Sequence, residues 1–237
     1  MATPRCPITC TYNEPIAPNV HILRFTKPED FTFIPGQFVL FFIPDVADPK
    51  VVQPRAYSIA SAPEEEDLLF VVRIKPNGHA GKWFSTVLKE GTTVEMQGPM
   101  GNFLIDPQNT KDILIIATGV GISPFRSQIR SALSSGDTRR IDLIWCTYNE
   151  KDIFWDDDFK SLEKQYPNFF FHMMLSEPSA EWKGPTGRVQ KLIPTIEHLN
   201  EKQIYICGNP AMTSDVKRLC LEEWGFAKED VHIEGYI

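Results

Sequence analysis

One junction constrains the fold more than any other stretch. Ile113-Leu-Ile-Ile-Ala117 is an apolar run of strand length, and it leads directly into Thr118-Gly-Val-Gly-Ile-Ser-Pro124 and a helical pattern from Pro124 to Leu133. Pro124 suits the first turn of a helix. Gly119 and Gly121 let the backbone approach a phosphate, whose charge the positive end of the helix favours. The spacing is not the full G-x-G-x-x-G fingerprint, so a tight turn that binds nothing is the competing reading.

The same rhythm runs through the second half of the chain. Strand patterns at Ile141 to Cys146, Phe169 to Leu175 and Ile204 to Cys207 alternate with helical patterns at Phe159 to Lys164, Val189 to Ile193 and Met212 to Trp224. Such alternation indicates a parallel α/β sheet. The first half reads differently. Val20 to Phe25 alternates, Phe38 to Ile43 and Leu68 to Ile74 are buried runs, and Pro28, Pro35-Gly36, Pro44, Pro76-Asn-Gly78 and Glu90-Gly91 punctuate them. Short strands at these intervals predict a small barrel. One helix, ended by Gly91, interrupts it, and its glycine-rich start offers free N–H groups to an anion. The polar segment Asp106 to Lys111 is the natural linker. The expected domains are therefore 1–107 and 108–237.

Apolar residues make up 42 % of the 237 residues, enough for a full core. A net charge of −7 argues against nucleic acid as the main partner. The N-terminus shows no long apolar run and the most apolar stretch is too short to span a bilayer, so a cytoplasmic protein with no membrane segment is expected. Cys6, Cys10, Cys146, Cys207 and Cys220 are scattered and read as free thiols. No spacing of cysteine or histidine predicts a metal site.

Two further segments carry chemistry. In Gln53-Pro-Arg55-Ala56-Tyr57-Ser58-Ile59, Arg55 and Tyr57 share one side of a strand. A planar cation beside an aromatic ring can hold a phosphate and stack a flat ligand. An amphipathic strand with an exposed arginine is the plain alternative. Val231-His-Ile-Glu-Gly-Tyr-Ile237 is too apolar for a loose tail and is expected to dock.

Taken together, Pro35-Gly-Gln-Phe38, Arg55-Ala-Tyr-Ser58, Gly98-Pro-Met-Gly-Asn-Phe103, Thr118-Gly-Val-Gly-Ile-Ser-Pro-Phe-Arg-Ser127, Ile204-Tyr-Ile-Cys-Gly-Asn-Pro-Ala-Met212 and Glu234-Gly-Tyr236 resemble, in order, the elements of the ferredoxin–NAD(P) reductase superfamily. The resemblance implies an antiparallel flavin-binding β-barrel followed by a five-stranded parallel α/β nucleotide-binding domain. It places Arg55 on the pyrophosphate of FAD, Ala56 and Tyr57 along its ribityl chain and isoalloxazine, and Ser58 near flavin N5. Val72, Ile74, Ala80, Gly81, Lys82 and Trp83 complete that site, with Gly81 where relatives usually carry a Ser or Thr. Thr118, Gly119, Gly121, Pro124, Ser176, Arg188, Cys207, Gly208 and Met212 are implied contacts of the nicotinamide nucleotide. Tyr236 would cover the flavin, and the additional Ile237 bears on how it stacks. Ser58, Cys207, Glu234 and Tyr236 are the implied catalytic residues.

The implied reaction is hydride transfer from NADH or NADPH to FAD, then single electrons to a small protein such as ferredoxin or flavodoxin. A monomer is expected. Glu177 stands where NADPH-dependent members often carry Arg, which favours NADH. Arg188, in a T-G-R segment, can instead grip a 2′-phosphate. The reductase component of an oxygenase, a free-flavin or ferric reductase, and a non-enzymatic nucleotide-binding subunit are the alternatives.

Overall fold

The computed structural model describes residues 5–236, so Ile237 lies outside the described residues. The chain divides into two compact units. The first comprises residues 5–105 with Ser123–Ser131; the second comprises Asp106–Ile122 and residues 132–236.

Six antiparallel strands build the first unit: β1 (Arg5–Ala17), β2 (Val20–Thr26), β3 (Phe38–Pro44), β4 (Val52–Ser58), β5 (Asp67–Arg73) and β6 (Thr93–Met100). Their order is β4-β3-β6-β1-β2-β5. The sheet curls so that its outer strands approach. Just past β4, Ala60 N–H donates to Leu69 O on β5 (2.8 Å), and Leu69 N–H donates to Ser61 Oγ (3.1 Å). The result is the expected barrel-like sheet. Strand β3 is not the fully buried run that its composition suggests. Val39, Phe41 and Ile43 are completely buried while the residues between them are partly exposed, the period-two signature of a sheet covered on one face. Phe70 packs edge to face on Phe25 and Phe41, which tilt against each other in the centre, with centroids 4.9 to 6.0 Å apart.

Helix α1 spans His79–Thr86 and sends Trp83 and Phe84 into this core. It stops short of Gly91. The N–H groups of Val87 and Leu88 both turn back to Trp83 O, and the Asn13 side-chain amide takes Phe84 O and Leu88 O, each at 2.8 Å. These contacts satisfy carbonyls that another turn would have used. Gly91 serves instead in a turn at φ +84°, donating its N–H to Cys10 O.

In the second unit five parallel strands, β7 (Ile113–Thr118), β8 (Ile141–Thr147), β9 (Phe169–Leu175), β10 (Gln203–Gly208) and β11 (Val231–Gly235), lie in the order β11-β10-β7-β8-β9. The terminal segment thus docks as a fifth strand. Helix α2 (Ser123–Ser134) follows β7, α3 (Asp156–Gln165) follows β8, and α4 (Pro210–Glu222) follows β10. The segment Val189 to Ile193 is not one helix but two short 3₁₀ turns, Val189–Lys191 and Ile193–Thr195. Pro194 lacks an N–H and disfavours helical backbone at the residue before it, so the periodicity cannot propagate.

Strand β8 is buried along its whole length. All five cysteines are free. Among the described residues no helix is long and apolar enough to cross a membrane, and no group of three His, Cys, Asp or Glu side chains could hold a metal ion.

Candidate active site

On the barrel, β4 is an outer strand paired with β3 in the register Tyr57↔Val39, Arg55↔Phe41 and Gln53↔Ile43. The β3 partners are buried, so Gln53, Arg55 and Tyr57 project on the inner side and Ala56 on the opposite one. The Tyr57 ring lies 5.4 Å from both Phe41 and Phe84. Burial pushes its phenol far above the ordinary range, with Arg55 a smaller opposing influence, so the hydroxyl stays protonated. Arg55 is exposed; Nη1 donates to Pro54 O (2.8 Å) and Nη2 to Gln53 Oε1. Ser58 is buried at the strand end, and Ile59 N–H behind it is tied to Gln37 O (3.0 Å).

Helix α1 begins at Gly78, which has no side chain to cap it. The N–H groups of His79, Ala80 and Gly81 have no partner among the described residues, and Lys82 N–H makes the first helical bond, to Gly78 O (3.0 Å). An uncapped helix start and an exposed guanidinium suit the doubly charged pyrophosphate of a flavin dinucleotide. Gly81 has an additional reason to be glycine: a Cβ there would stand 2.1 Å from Lys75 O. Lys82 is exposed. Val72, Ile74 and Trp83, by contrast, have their side chains in the barrel core, leaving only backbone groups for a ligand.

In the second unit the chain builds β7, β8 and β9 in one direction, then returns to add β10 and β11 on the other side. The order therefore reverses between β7 and β10, and ligands of open α/β sheets bind at the carboxyl ends of the strands at such a point. Here the loops after β7 and β10 interlock. A Cβ on Gly121 would stand 2.5 Å from Cys207 O, and one on Gly208, at φ +140°, would stand 2.1 Å from Thr118 Oγ1. Thr118 Oγ1 accepts Asn209 N–H (3.1 Å), and Asn209 Oδ1 caps α4 through Ala211 N–H (2.9 Å). Gly119 takes φ +53°, and its carbonyl accepts the indole N–H of Trp145 at 3.0 Å. Pro124 lies in the first turn of α2, directly after this loop.

Cys207 is fully buried, flanked on the neighbouring strands by Ala117 and Glu234. Burial, then the Glu234 charge, drive its thiol well above the ordinary value, and the Tyr236 side chain hydrogen-bonds to it. Tyr236 N–H also donates to Gly208 O (3.1 Å). The structure thus brings Cys207, Glu234 and Tyr236 together. Met212 packs on the core beneath.

Further along the same edge, Ser176 N–H donates to Thr147 O (3.0 Å) and Glu177 N–H to Tyr148 O (2.8 Å), while the Tyr148 hydroxyl donates to Glu177 Oε2. Gly187 N–H bonds Leu175 O (2.8 Å), which draws Arg188 alongside the end of β9. Arg188 is exposed and has no ion-pair partner among the described residues. Sequence reasoning missed Trp145, Tyr148 and His79. Nothing in their local spacing reports partners 26 to 36 residues away.

Residues 7–105 match the family described as oxidoreductase FAD-binding domain, and residues 115–218 the one described as oxidoreductase NAD-binding domain. The chain is 30 % identical to ferredoxin–NADP reductase B of Sorangium cellulosum, covering 94 % of this chain and 93 % of that one. It is 33 % identical to NADH-cytochrome b5 reductase 1 of Aspergillus terreus, covering 90 % of this chain and 75 % of that one. The fold is that of a Neisseria gonorrhoeae ferredoxin NADP+ reductase solved with FAD and NADP, at a TM-score of 0.84, 21 % identity and 98 % coverage of both chains. With an FAD-binding and an NAD-binding domain in one polypeptide and a relative of this similarity along nearly its full length, the chain belongs to the ferredoxin–NAD(P) reductase superfamily of FAD-dependent oxidoreductases.

Proposed function

We propose that this protein draws a hydride from NADH and delivers electrons singly to a small acidic electron-transfer protein of the ferredoxin or flavodoxin kind. The observation that carries this reading is that one chain holds an anion-ready group, Arg55 with the uncapped start of α1, and two glycine-bearing loops packed against each other at the carboxyl ends of the strands, where the order of a parallel sheet reverses. Bound FAD supplies the conversion between two-electron and one-electron chemistry. Arg55 and the N–H groups of His79, Ala80 and Gly81 take its pyrophosphate, with Lys82 adding charge. Tyr57, neutral and fixed by Phe41 and Phe84, lines the ribityl chain and ring. Ser58 holds the proton at flavin N5. On the nucleotide side, the loop from Thr118 to Pro124 receives the pyrophosphate. Cys207 offers a neutral thiol to the nicotinamide, with Gly208, Glu234 and Tyr236 around it. Tyr236 moves aside to admit the ring.

Anaerobic mixing of the FAD-loaded protein with NADH is expected to bleach the flavin absorbance within one turnover. Subsequent addition of ferredoxin, flavodoxin or cytochrome c restores it. A flavin band that NADH and NADPH both leave intact would refute the assignment.

The choice of NADH rests on Glu177. A carboxylate about 4 Å from a phosphate charge costs roughly 1 to 4 kcal/mol per charge pair across the usual range of surface dielectric. Wild type is therefore expected to show a kcat/KM for NADH at least about fivefold above that for NADPH. Glu177→Arg narrows or inverts the ratio chiefly by improving NADPH. Arg188→Ala then weakens NADPH use alone. Steady-state kinetics with both donors read this directly, and equal use by wild type would overturn it.

An acidic acceptor is compatible with the net charge of −7 because cations on the barrel are unpaired. Between Asp67 and Glu90 no carboxylate interrupts Arg73, Lys75, Lys82 and Lys89, all exposed and without an ion-pair partner among the described residues. Complementary charge of this kind acts mainly on the association rate.

A further inference from the structure

Helix α1 has a weakness that the rest of the barrel compensates. Its eight residues are too few to be stable alone, and Gly78 gives its first turn no side-chain cap. The turn that precedes it is glycine at Gly78 and packs closely on Lys75. Something must nevertheless fix the direction of the N–H groups of His79, Ala80 and Gly81.

The first helical residue does so from an unusual direction. The His79 side chain is 9 % exposed and reaches away from its own helix. Nε2 lies 2.8 Å from Ile43 O, at the end of β3, and Nδ1 lies 3.1 Å from Asp45 Oδ2. Asp45 is itself immobilised, because its Oδ1 accepts the N–H groups of Ala47 (2.8 Å) and Asp48 (3.2 Å). These two backbone bonds, with a smaller contribution from His79, hold its carboxyl below the usual range. The imidazole therefore ties the start of α1 to two rigid points. Ile43 pairs with Gln53, two residues from Arg55 on the same inner side of β4. The tie thus places the free N–H groups at the end of the row that carries the guanidinium.

We propose that His79 is a positioning residue for the FAD pyrophosphate: it anchors the uncapped helix start and aims the N–H groups of α1 at the same phosphates that Arg55 meets. The inference rests on the placement of FAD proposed above. It concerns preorganisation, in which a fixed donor set binds more tightly because less ordering is left to the binding step.

Titration of deflavinated protein with FAD, with ADP and with riboflavin separates the possibilities without reference to turnover. Riboflavin carries the ring and ribityl chain but no phosphate, and ADP carries the pyrophosphate without the ring. His79→Ala is expected to weaken FAD and ADP by about tenfold and to leave riboflavin within about twofold. His79→Gln, which keeps a donor for Ile43 O and gives up Asp45, is expected to show a smaller loss with the same selectivity, and it serves if the alanine variant does not fold. Unchanged FAD and ADP affinity, or an equal loss for all three ligands, would overturn the role of His79. Arg55→Ala is the parallel arm. If it leaves FAD and ADP unaffected, the pyrophosphate lies elsewhere and the placement itself fails. If Arg55→Ala weakens both while His79→Ala does not, only the positioning role fails.

Discussion

Asp142→Ala is expected to lower the unfolding midpoint of the nucleotide-binding unit by about 10 °C, the largest loss of stability that any single polar substitution here should cause. Asp142 is fully buried in β8, near the amino ends of the parallel strands. Arg140 Nε and Nη2 each donate to its carboxylate at 3.0 Å, Lys202 Nζ lies 3.3 Å away and His172 Nε2 3.5 Å. Lys202 is only 2 % exposed, and its other carboxylate, Asp112, lies at 3.6 Å and is half in solvent. Removing one member of a buried charged pair typically costs about 3 to 5 kcal/mol, because the survivor keeps its desolvation penalty without its partner.

The same cluster gives the loss a pH signature. Burial raises the Asp142 pKa, but the His172 and Arg140 hydrogen bonds and the charges of Lys202 and Arg140 outweigh it, leaving the value at about 2 against an ordinary 3.8. A depressed acid stabilises the fold above its unfolded-state value and loses that contribution as pH falls through the folded one. The gap between wild type and Asp142→Ala should therefore be full at pH 5 and above and shrink between about pH 4 and pH 2. Calorimetry across that range tests both claims. A midpoint within about 2 °C of wild type at pH 7 would show that the cluster is not structural in this sense.

Gly121→Ala is expected to reduce kcat/KM for the nicotinamide donor by about 10- to 100-fold while FAD content and the flavin spectrum stay unchanged. The clash at this position is entirely with backbone: Cys207 O at 2.5 Å and Gly208 Cα at 2.6 Å. No rotamer can relieve it, so the loops after β7 and β10 must spread. Spreading them displaces Cys207 and breaks the fit of Gly208 against Thr118. An overpacking strain of about 1 to 3 kcal/mol corresponds to about 5- to 160-fold when it falls on nucleotide binding, which brackets the stated range. Single-turnover reduction at rising NADH distinguishes weaker binding from slower chemistry. A variant with wild-type kinetics would mean that the loops already sit further apart in solution.

The parts of this molecule legible in its sequence were those in which neighbours along the chain do the work. The run Ile113 to Ala117 followed by glycines and Pro124 announced a strand, a turn and a helix because each residue type restricts its own backbone. Ligand chemistry at Arg55 and Tyr57 was suggested by their spacing. What sequence could not supply was the second partner of a contact. The reading of Gly81 captured the free N–H groups but not Lys75 O, which excludes any side chain there. Gly91 looked like the end of α1 because Asn13, some seventy residues earlier, gives no local sign that it will take the last carbonyls. The apolar periodicity around Val189 was real, but Pro194 confined it to isolated turns. Trp145, closing on Gly119 O from the adjacent strand, read only as one more apolar residue in β8.

The two ends of the parallel strands face different demands. The amino ends, around Asp142 and Lys202, are bolted by charge. At the carboxyl ends, Gly121 and Gly208 leave no room for a side chain of their own. The charge cluster and the close-packed glycine loops thereby lie at opposite margins of one sheet. Groups this far apart on the sheet share no partner, so changes in the one set of loops and in the charge cluster are expected to act additively on stability.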